Sequence, residues 1–325
     1  MNDLKIERDI RILITGATGF VGSHLLETYL SLTPKPHIFA TKRWRSDMSN
    51  VAHIEKEITW LPCDLTDPSC TNFVIQETQP DIIHHLAAMS YVKYSFDMPA
   101  DAIFNNLISS VNLLEAVRSI SPSSTVLLTG SSEEYGVVAE NELPISETNP
   151  TRPASPYGIS KLAQTQLGWI YAKGYGLDVI LTRAFNHSGP RRSLSFILPK
   201  IILQGIEIQQ GKRNSFELGN LDAYRDFTHV KDICRAYIML ALKGNSGEVY
   251  NICSGTAYSI KEIIDKVKKL LDIDVGIKTM KSNFRPLDVP FLLGDNTKIK
   301  KEIGWKPKFT LDDILRDIYN WLRGM

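Results

Sequence analysis

Tyr157 and Lys161, in the string "SPYGISK", stand four residues apart at the start of a helix-length segment and so share one face. A phenol, with an ordinary pKa of about 10, is a poor base at neutral pH, but adjacent positive charge lowers that value. Lys161 supplies such charge. Tyr157 can then exchange a proton with a hydroxyl while hydride passes between that carbon and a cofactor. Upstream, "LLTGSSEEYG" ends an apolar run with Ser131, Ser132 and the adjacent carboxylates Glu133 and Glu134. Ser131 is expected to hydrogen-bond the oxygen that Tyr157 deprotonates. Paired acids where an apolar strand surfaces read as a solvated turn or as a group that moves a proton. A lone Tyr-x-x-x-Lys is common by chance, so its weight depends on what surrounds it.

The elements that must hold these residues are legible as a pattern. Apolar runs at 11–16, 37–41, 58–62, 81–88, 125–130 and 177–185 predict buried strands. Segments 19–32, 69–79, 101–120 and 156–174 carry helical periodicity between them. This alternation predicts an α/β fold, a Rossmann-type doubly wound parallel sheet with ligands beyond the carboxyl ends of its strands. Residues 1–186 are assigned to that nucleotide-binding domain. From 187 the pattern loosens into helical stretches at 195–210, 230–243, 259–271 and 311–323. Residues 187–325 therefore read as a smaller, mostly C-terminal α/β substrate-binding lobe, partly interleaved with the first domain. There is no internal repeat, low-complexity tract or long linker.

"ILITGATGFVGSHLLETYL" places Gly16, Gly19 and Gly22, with Phe20 and Val21, at the first strand-to-helix turn. The spacing is a variant of the dinucleotide fingerprint, in which glycines let the backbone approach a pyrophosphate seated on the helix N-terminus. The second strand ends "FATKRWRS", with Lys42, Arg43 and Arg45 and no acid for a ribose 2′-hydroxyl. Cations there suit a 2′-phosphate, so the expected cofactor is NADP(H); the bland alternative is a loop of solvated Lys and Arg. In "CDLTD", Asp64, followed by Leu65, is expected to accept from the adenine amino group. Leu86, Ala87 and Ala88, after the fourth strand, are expected to pass near the cofactor, and Tyr91 and Lys93 to line a substrate pocket. His84 reads as a strand residue and His229 as a helix-start residue.

The 325 residues are 43% hydrophobic and 22% charged, with a net charge of +1, so nucleic acid or an anionic membrane is not an expected partner. Cys63, Cys70, Cys234 and Cys253 show no metal-ligand or disulfide spacing and are expected as buried, reduced thiols, with no metal bound. The charged N-terminus is not expected to be a signal peptide, and no apolar run has membrane-span length. A cytoplasmic protein is expected.

The strings "TGATGFVGSHL", "HLAAMSYVKYSFDMP", "GSSEEYG", "SPYGISK", "FNHSGPRRS", "GNLDAYRDF", "VYNICSG", "RPLDVPFLLGD" and "GWKP" occur in this order. With them the chain resembles, along essentially its whole length, the extended short-chain dehydrogenase/reductase family. Within it the likeness is to GDP-mannose 4,6-dehydratases and GDP-6-deoxy-4-keto-mannose reductases. Dehydratases of this group usually read S-T-S-E where this chain has Gly130-Ser131-Ser132-Glu133. A serine thus replaces the family's catalytic threonine, while the glutamate is retained. "SSEEYG" resembles some reductases; "KRWRSDMSN", "SFDMP" and "GPRRS" resemble the dehydratase side.

The resemblance implies an acid/base role for Glu133. Oxidation at C4 of a hexose acidifies the C5 proton, which a carboxylate removes as the C6 hydroxyl leaves. Glu134, one residue on in extended chain, is expected to face away. The family pattern also puts Ser132 and Asn186 at the substrate and His187 at substrate and cofactor. It places Lys200, Arg225, Arg285 and Asp288 near the nucleotide diphosphate and ribose, Arg225 having Asp222 or Asp226 as alternative structural partners. The expected activity is an NADP-dependent sugar-nucleotide 4,6-dehydratase acting on GDP-mannose or a close relative, as a homodimer or homotetramer. The alternatives are a 4-keto-6-deoxy sugar-nucleotide reductase and, remotely, a non-catalytic NADP-binding protein.

Overall fold

Near-continuous burial along the central strands builds a sheet with two apolar faces. The computed structural model describes residues 4, 6, 10–280 and 289–324. Strands β1 (Arg11–Thr15), β2 (His37–Lys42), β3 (Thr59–Pro62), β4 (Ile82–His85), β5 (Thr125–Ser131) and β6 (Asp178–Ala184) fall on the expected runs. The run 81–88 is a strand only as far as His85, because residues 86–88 turn out to line a cavity. Between the strands lie helices α1 (Phe20–Leu30), α2 (Pro68–Thr78), α3 (Val92–Asp97), α4 (Pro99–Ile120) and α5 (Pro156–Tyr175). The remainder comprises β7 (Asn186–Ser188), α6 (Ile197–Gln209), β8 (Ser215–Leu218), β9 (Tyr224–His229), α7 (Val230–Lys243) and β10 (Val249–Ile252). It continues with β11 (Ala257–Ser259), α8 (Ile260–Leu271), β12 (Gly276–Thr279), β13 (Phe291–Leu292), α9 (Thr297–Ile303) and α10 (Leu311–Arg323).

The main sheet is parallel, in the order β10-β6-β5-β4-β1-β2-β3, with the reversal next to β1 that opens a crevice at the strand ends. Ile12, Ile14, Leu127 and Ile180 face α1 and α7, whereas Leu13, Val126, Leu128 and Leu181 face α2, α4 and α5. This period of two is what a strand buried on both faces requires. Each such side chain contributes about 1.5–3 kcal/mol by burial. A separate core of Leu198, Ile201, Phe216, Ile263 and Ile314 sits under a small sheet, β11-β9-β13 with β7 beside β9, and the β8–β12 pair.

The chain beyond residue 187 serves both halves. β10 pairs in parallel with β6, and α7, α9 and Trp305 pack in the same core as β1 and α1. The buried Asp226 pins the crossing, accepting from Ser254 N at 2.8 Å, Gly255 N at 2.9 Å and Gly294 N at 3.3 Å. Burial nonetheless pushes its carboxyl up to about 6, against these bonds. Cys63, Cys234 and Cys253 are buried free thiols, but Cys70 is only half-buried, which departs from the sequence expectation. Among the described residues, no helix is long and apolar enough to cross a membrane.

Candidate active site

A cavity of about 620 Å³ runs along the carboxyl edge of the main sheet and under the small sheet. Nearly every predicted site residue among those described lines it.

At one end the first turn is shaped for an anion. Gly16 has φ +67°, and a β-carbon there would stand 2.7 Å from the Ala87 amide, so only glycine lets the turn press on the loop after β4. The N-cap of α1 is Gly19, with no side-chain cap and no acid in the first turn. The free N–H groups and positive dipole end are thus left for a ligand, and a pyrophosphate fits them. Gly22, Phe20, Val21, Leu65, Leu86, Ala87 and Ala88 line this end of the cavity. Lys42, Arg43 and Asp64 close that end. Lys42 also lies 3.7 Å from Glu55. Asp64 accepts from the Thr66 amide and hydroxyl through one oxygen, at 3.0 and 2.8 Å, and these bonds hold its carboxyl below the ordinary value. Arg45 departs from expectation. It stacks on the exposed Trp44 ring at 4.1 Å, in a neighbouring shallow pocket rather than in the cavity.

At the centre, the two acids of "SSEEYG" part company through a 3₁₀ turn, Ser132–Glu134, not the extended chain expected. Ser131 at the end of β5 caps that turn, its hydroxyl accepting from Glu133 N at 3.2 Å. Glu133 and the buried Ser132 then face the cavity. Glu134 goes under the sheet edge, fully buried, where it accepts from Arg183 Nε at 2.8 Å, Ser131 N at 2.9 Å and Thr165 Oγ1 at 3.1 Å. Burial raises its carboxyl, and the Arg183 charge opposes that rise. Neither acid is a solvated turn. Gly158 lets α5 sit on this turn, since a β-carbon there would lie 2.6 Å from the Glu133 carbonyl.

Tyr157 and Lys161 come from the first turns of α5, capped by Ser155, whose hydroxyl accepts from Gly158 N at 3.0 Å. Against the expectation that adjacent positive charge lowers it, burial raises the Tyr157 phenol; a Ser131 hydrogen bond and the Arg192 charge pull it back, and Glu133 pushes it up. Lys161 is buried, donating to Thr129 O at 2.7 Å and Gln164 Oε1 at 3.0 Å. Burial lowers its ammonium to about 8, with Glu134 opposing. The arrangement can take a proton from a hydroxyl at Tyr157 while Glu133 stands ready for a second proton nearby.

Beyond the centre, Asn186 and His187 on β7 line the cavity, with Tyr91, Lys93, Lys200 and Arg225 further out. His187 stacks on Phe20, ring centroids 6.0 Å apart at 7°, and its Nδ1 donates to Phe185 O at 2.9 Å. Burial and the Arg192 charge push it down to about 4, so it is neutral at pH 7. Arg225 donates to Tyr224 O at 2.8 Å, while the Asp226 carboxylate is taken up by Ser254, Gly255 and Gly294. Arg285 and Asp288 lie outside the described residues. His84 is a buried strand residue, with Nε2 2.6 Å from Tyr29 Oη, and His229 caps α7 by accepting from Lys231 N at 3.0 Å.

Sequence reasoning missed Arg192 as an individual residue. It lines the cavity with its guanidinium 3.4 Å from the Phe196 ring centroid and 4.9 Å from that of Phe20. Its Nε is buried without a hydrogen-bond partner among the described residues. Burial lowers it to about 10, with Tyr157 opposing. The only sequence signal was its place in "GPRRS". Asn106, in mid-α4, was missed as well. It accepts from Met89 N at 2.7 Å and donates to Ser160 Oγ at 2.9 Å, tying the loop after β4 to α5.

A family model described as GDP-mannose 4,6 dehydratase matches residues 13–318. GDP-6-deoxy-D-mannose reductase of Pseudomonas aeruginosa is 33% identical, over 95% of this chain and 95% of that protein. GDP-mannose 4,6 dehydratase of Homo sapiens is also 33% identical, over 94% of this chain and 89% of that protein. The solved structure of RMD from Pseudomonas aeruginosa complexed with NADPH superposes with a TM-score of 0.82 at 32% identity, covering 98% of this chain and 99% of that one.

Proposed function

Because the chain belongs to the GDP-mannose 4,6 dehydratase family, among the extended short-chain dehydrogenase/reductase enzymes, we propose that it is an NADP-dependent nucleotide-sugar 4,6-dehydratase acting on GDP-mannose or a close relative. The observation that carries this reading is the divergence of the two acids: Glu133 is presented to the cavity beside Ser131 and Tyr157, while Glu134 is spent on Arg183. In an enzyme that only reduces a ketone the same acid would serve as a hydrogen-bonding group, in keeping with the likeness of "SSEEYG" to some reductases.

NADP(H) bound against the Gly16–Gly22 turn supplies the acceptor and donor of hydride. Tyr157 takes the proton of the C4 hydroxyl; burial raises its phenol, and the Arg192 charge and the Ser131 hydroxyl, which also orients the C4 oxygen, work against that rise. The ketone at C4 acidifies C5; Glu133 removes that proton, the C6 hydroxyl leaves with a proton as water, and C6 then takes up the hydride given up at C4 while C5 regains a proton, so the net change is the loss of one water. Arg225, Lys200 and Lys93 offer positive charge at the outer end, suited to a nucleotide diphosphate. We also expect a homo-oligomer, since the adjoining helices α4 and α5 expose Phe104, Ile159, Trp169 and Ile170, an apolar face that a second copy would cover.

A second reading, a 4-keto-6-deoxy nucleotide-sugar reductase, is favoured by Ser131 standing where dehydratases carry threonine and by the likeness to a named reductase. Incubation with a panel of nucleotide sugars, with and without NADPH, separates the two by product mass. A dehydratase yields a product lighter by one water with no added reductant. Product only from 4-keto substrates, with steady loss of NADPH, would establish the reductase instead.

A further inference from the structure

The loop after β7 contains an arginine in a conformation that side chains rarely adopt. Arg191 has φ 69°, in the left-handed region. Its guanidinium forks onto Glu27 of α1, Nη1 donating to Oε1 at 2.7 Å and Nη2 to Oε2 at 2.6 Å. Nη2 also donates to His24 Nδ1 at 2.7 Å, and Nη1 to the Asn50 carbonyl at 3.0 Å. With Nδ1 accepting, His24 Nε2 carries the proton and donates to Pro190 O at 2.9 Å. Asn50 Nδ2 in turn donates to Thr18 O, at 3.1 Å, in the glycine-rich turn. Three segments distant in sequence are thereby joined through one side chain.

The next residue is Arg192, the cavity cation with a buried, unpartnered Nε. A backbone held in a rarely populated region persists only where its surroundings over-determine it, and such sites cluster where a neighbouring group must be aimed. An unpaired polar atom in a buried place is likewise costly, so the surrounding structure must hold it there. We propose that Glu27 and Arg191 are positioning residues: their bidentate pair, seated on His24 and Asn50, fixes the loop so that Arg192 projects into the cavity between Phe20 and Phe196. The proposal rests on the reading of this cavity as the cofactor and substrate site. Glu27 and Arg191 act through Arg192 and touch neither ligand themselves.

The test is a double-mutant cycle of Glu27→Gln and Arg192→Gln, read in turnover by whichever reaction the unaltered protein performs, in NADPH titration by cofactor fluorescence, and in melting temperature. Glu27→Gln is expected to lower kcat about tenfold when Arg192 is present and no more than about twofold in the Arg192→Gln background, the non-additivity of coupled sites. The NADPH titration should show the same dependence on background. Arg191→Gly, which keeps the left-handed backbone accessible and removes the fork, should behave as Glu27→Gln does and carries the same cycle if the first variant folds poorly. Equal losses in both Arg192 backgrounds, even with a lowered melting temperature, would overturn the proposal in favour of a purely structural ion pair. Failure of the dehydratase reading would appear separately, in the product made by the unaltered protein.

Discussion

Replacing Glu134 with glutamine isolates the buried ion pair beneath the reacting centre. The amide oxygen can still accept from Ser131 N and Thr165 Oγ1, now held at 2.9 and 3.1 Å, so the turn that presents Glu133 keeps its cap. The partner Arg183, 5% exposed, keeps its charge because a guanidinium does not deprotonate in a protein. Breaking a buried pair by removing one member costs about 3–5 kcal/mol. The Tyr135 ring, 4.7 Å from the guanidinium, stays as a weaker partner and sets the expectation near the lower end, about 3 kcal/mol. Arg183→Met should cost less at acidic than at neutral pH, because the stranded carboxyl can take up a proton. Burial already raises that carboxyl; losing Arg183 raises it further, so the folded variant binds more protons than the unfolded chain above the ordinary carboxylate range. Its stability therefore falls as pH rises through that window. The double variant Glu134→Met/Arg183→Met should cost less than the sum of the singles. Urea denaturation at pH 5 and pH 8 measures all of these. A Glu134→Gln variant within about 0.5 kcal/mol of the unaltered protein would refute the reasoning, since that is the effect of an ordinary surface change.

Tyr157→Phe should retain NADPH binding and lose turnover by about 10²–10⁴-fold, as expected for a positioned acid/base; near-normal rates would move the role elsewhere. Arg43→Ala should reduce the preference for NADP(H) over NAD(H) about tenfold, one charge-assisted bond, while Arg45→Ala, outside the cavity, should leave it unchanged in paired titrations. His84 and His85 are held near about 3, and His24 and His187 near about 4, chiefly by burial. The unfolded chain thus binds more protons below about 6.5, and each of these histidines removes up to about 1.4 kcal/mol per pH unit as pH falls toward its folded value. Asp226, raised to about 6, opposes this over part of the range, so denaturation midpoints should still drop between pH 7.5 and 5.5. An unchanged midpoint would contradict the neutral, buried state assigned to these rings.

The strands carrying the site were legible because each is a local apolar run whose end marks where ligands sit. β10 was not, because "VYNI" is four residues whose place beside β6 depends on a partner 68 residues earlier, Val249 against Leu181. Glu133 stands out in the string, but extended chain is not what separates it from Glu134. The Ser131 cap, a contact invisible in a string, makes the separating turn instead. Arg45 looked equivalent to Arg43 in sequence. Only the stacking on Trp44 turns it away. Arg191 and Arg192 are adjacent and identical in type, and long-range partners alone set one on Glu27 and the other in the cavity.

The proposed role of Glu133, removal of the C5 proton, is tested most directly by a single turnover of Glu133→Gln with the proposed GDP-hexose substrate in deuterated water. Tyr157, Lys161 and Ser131 are intact in that variant, so oxidation at C4 should proceed and NADPH absorbance should appear and persist. No deuterium should enter C5 and no water should be lost, whereas the unaltered enzyme should incorporate deuterium and release a dehydrated product. Unimpaired dehydration by the glutamine variant would contradict the account.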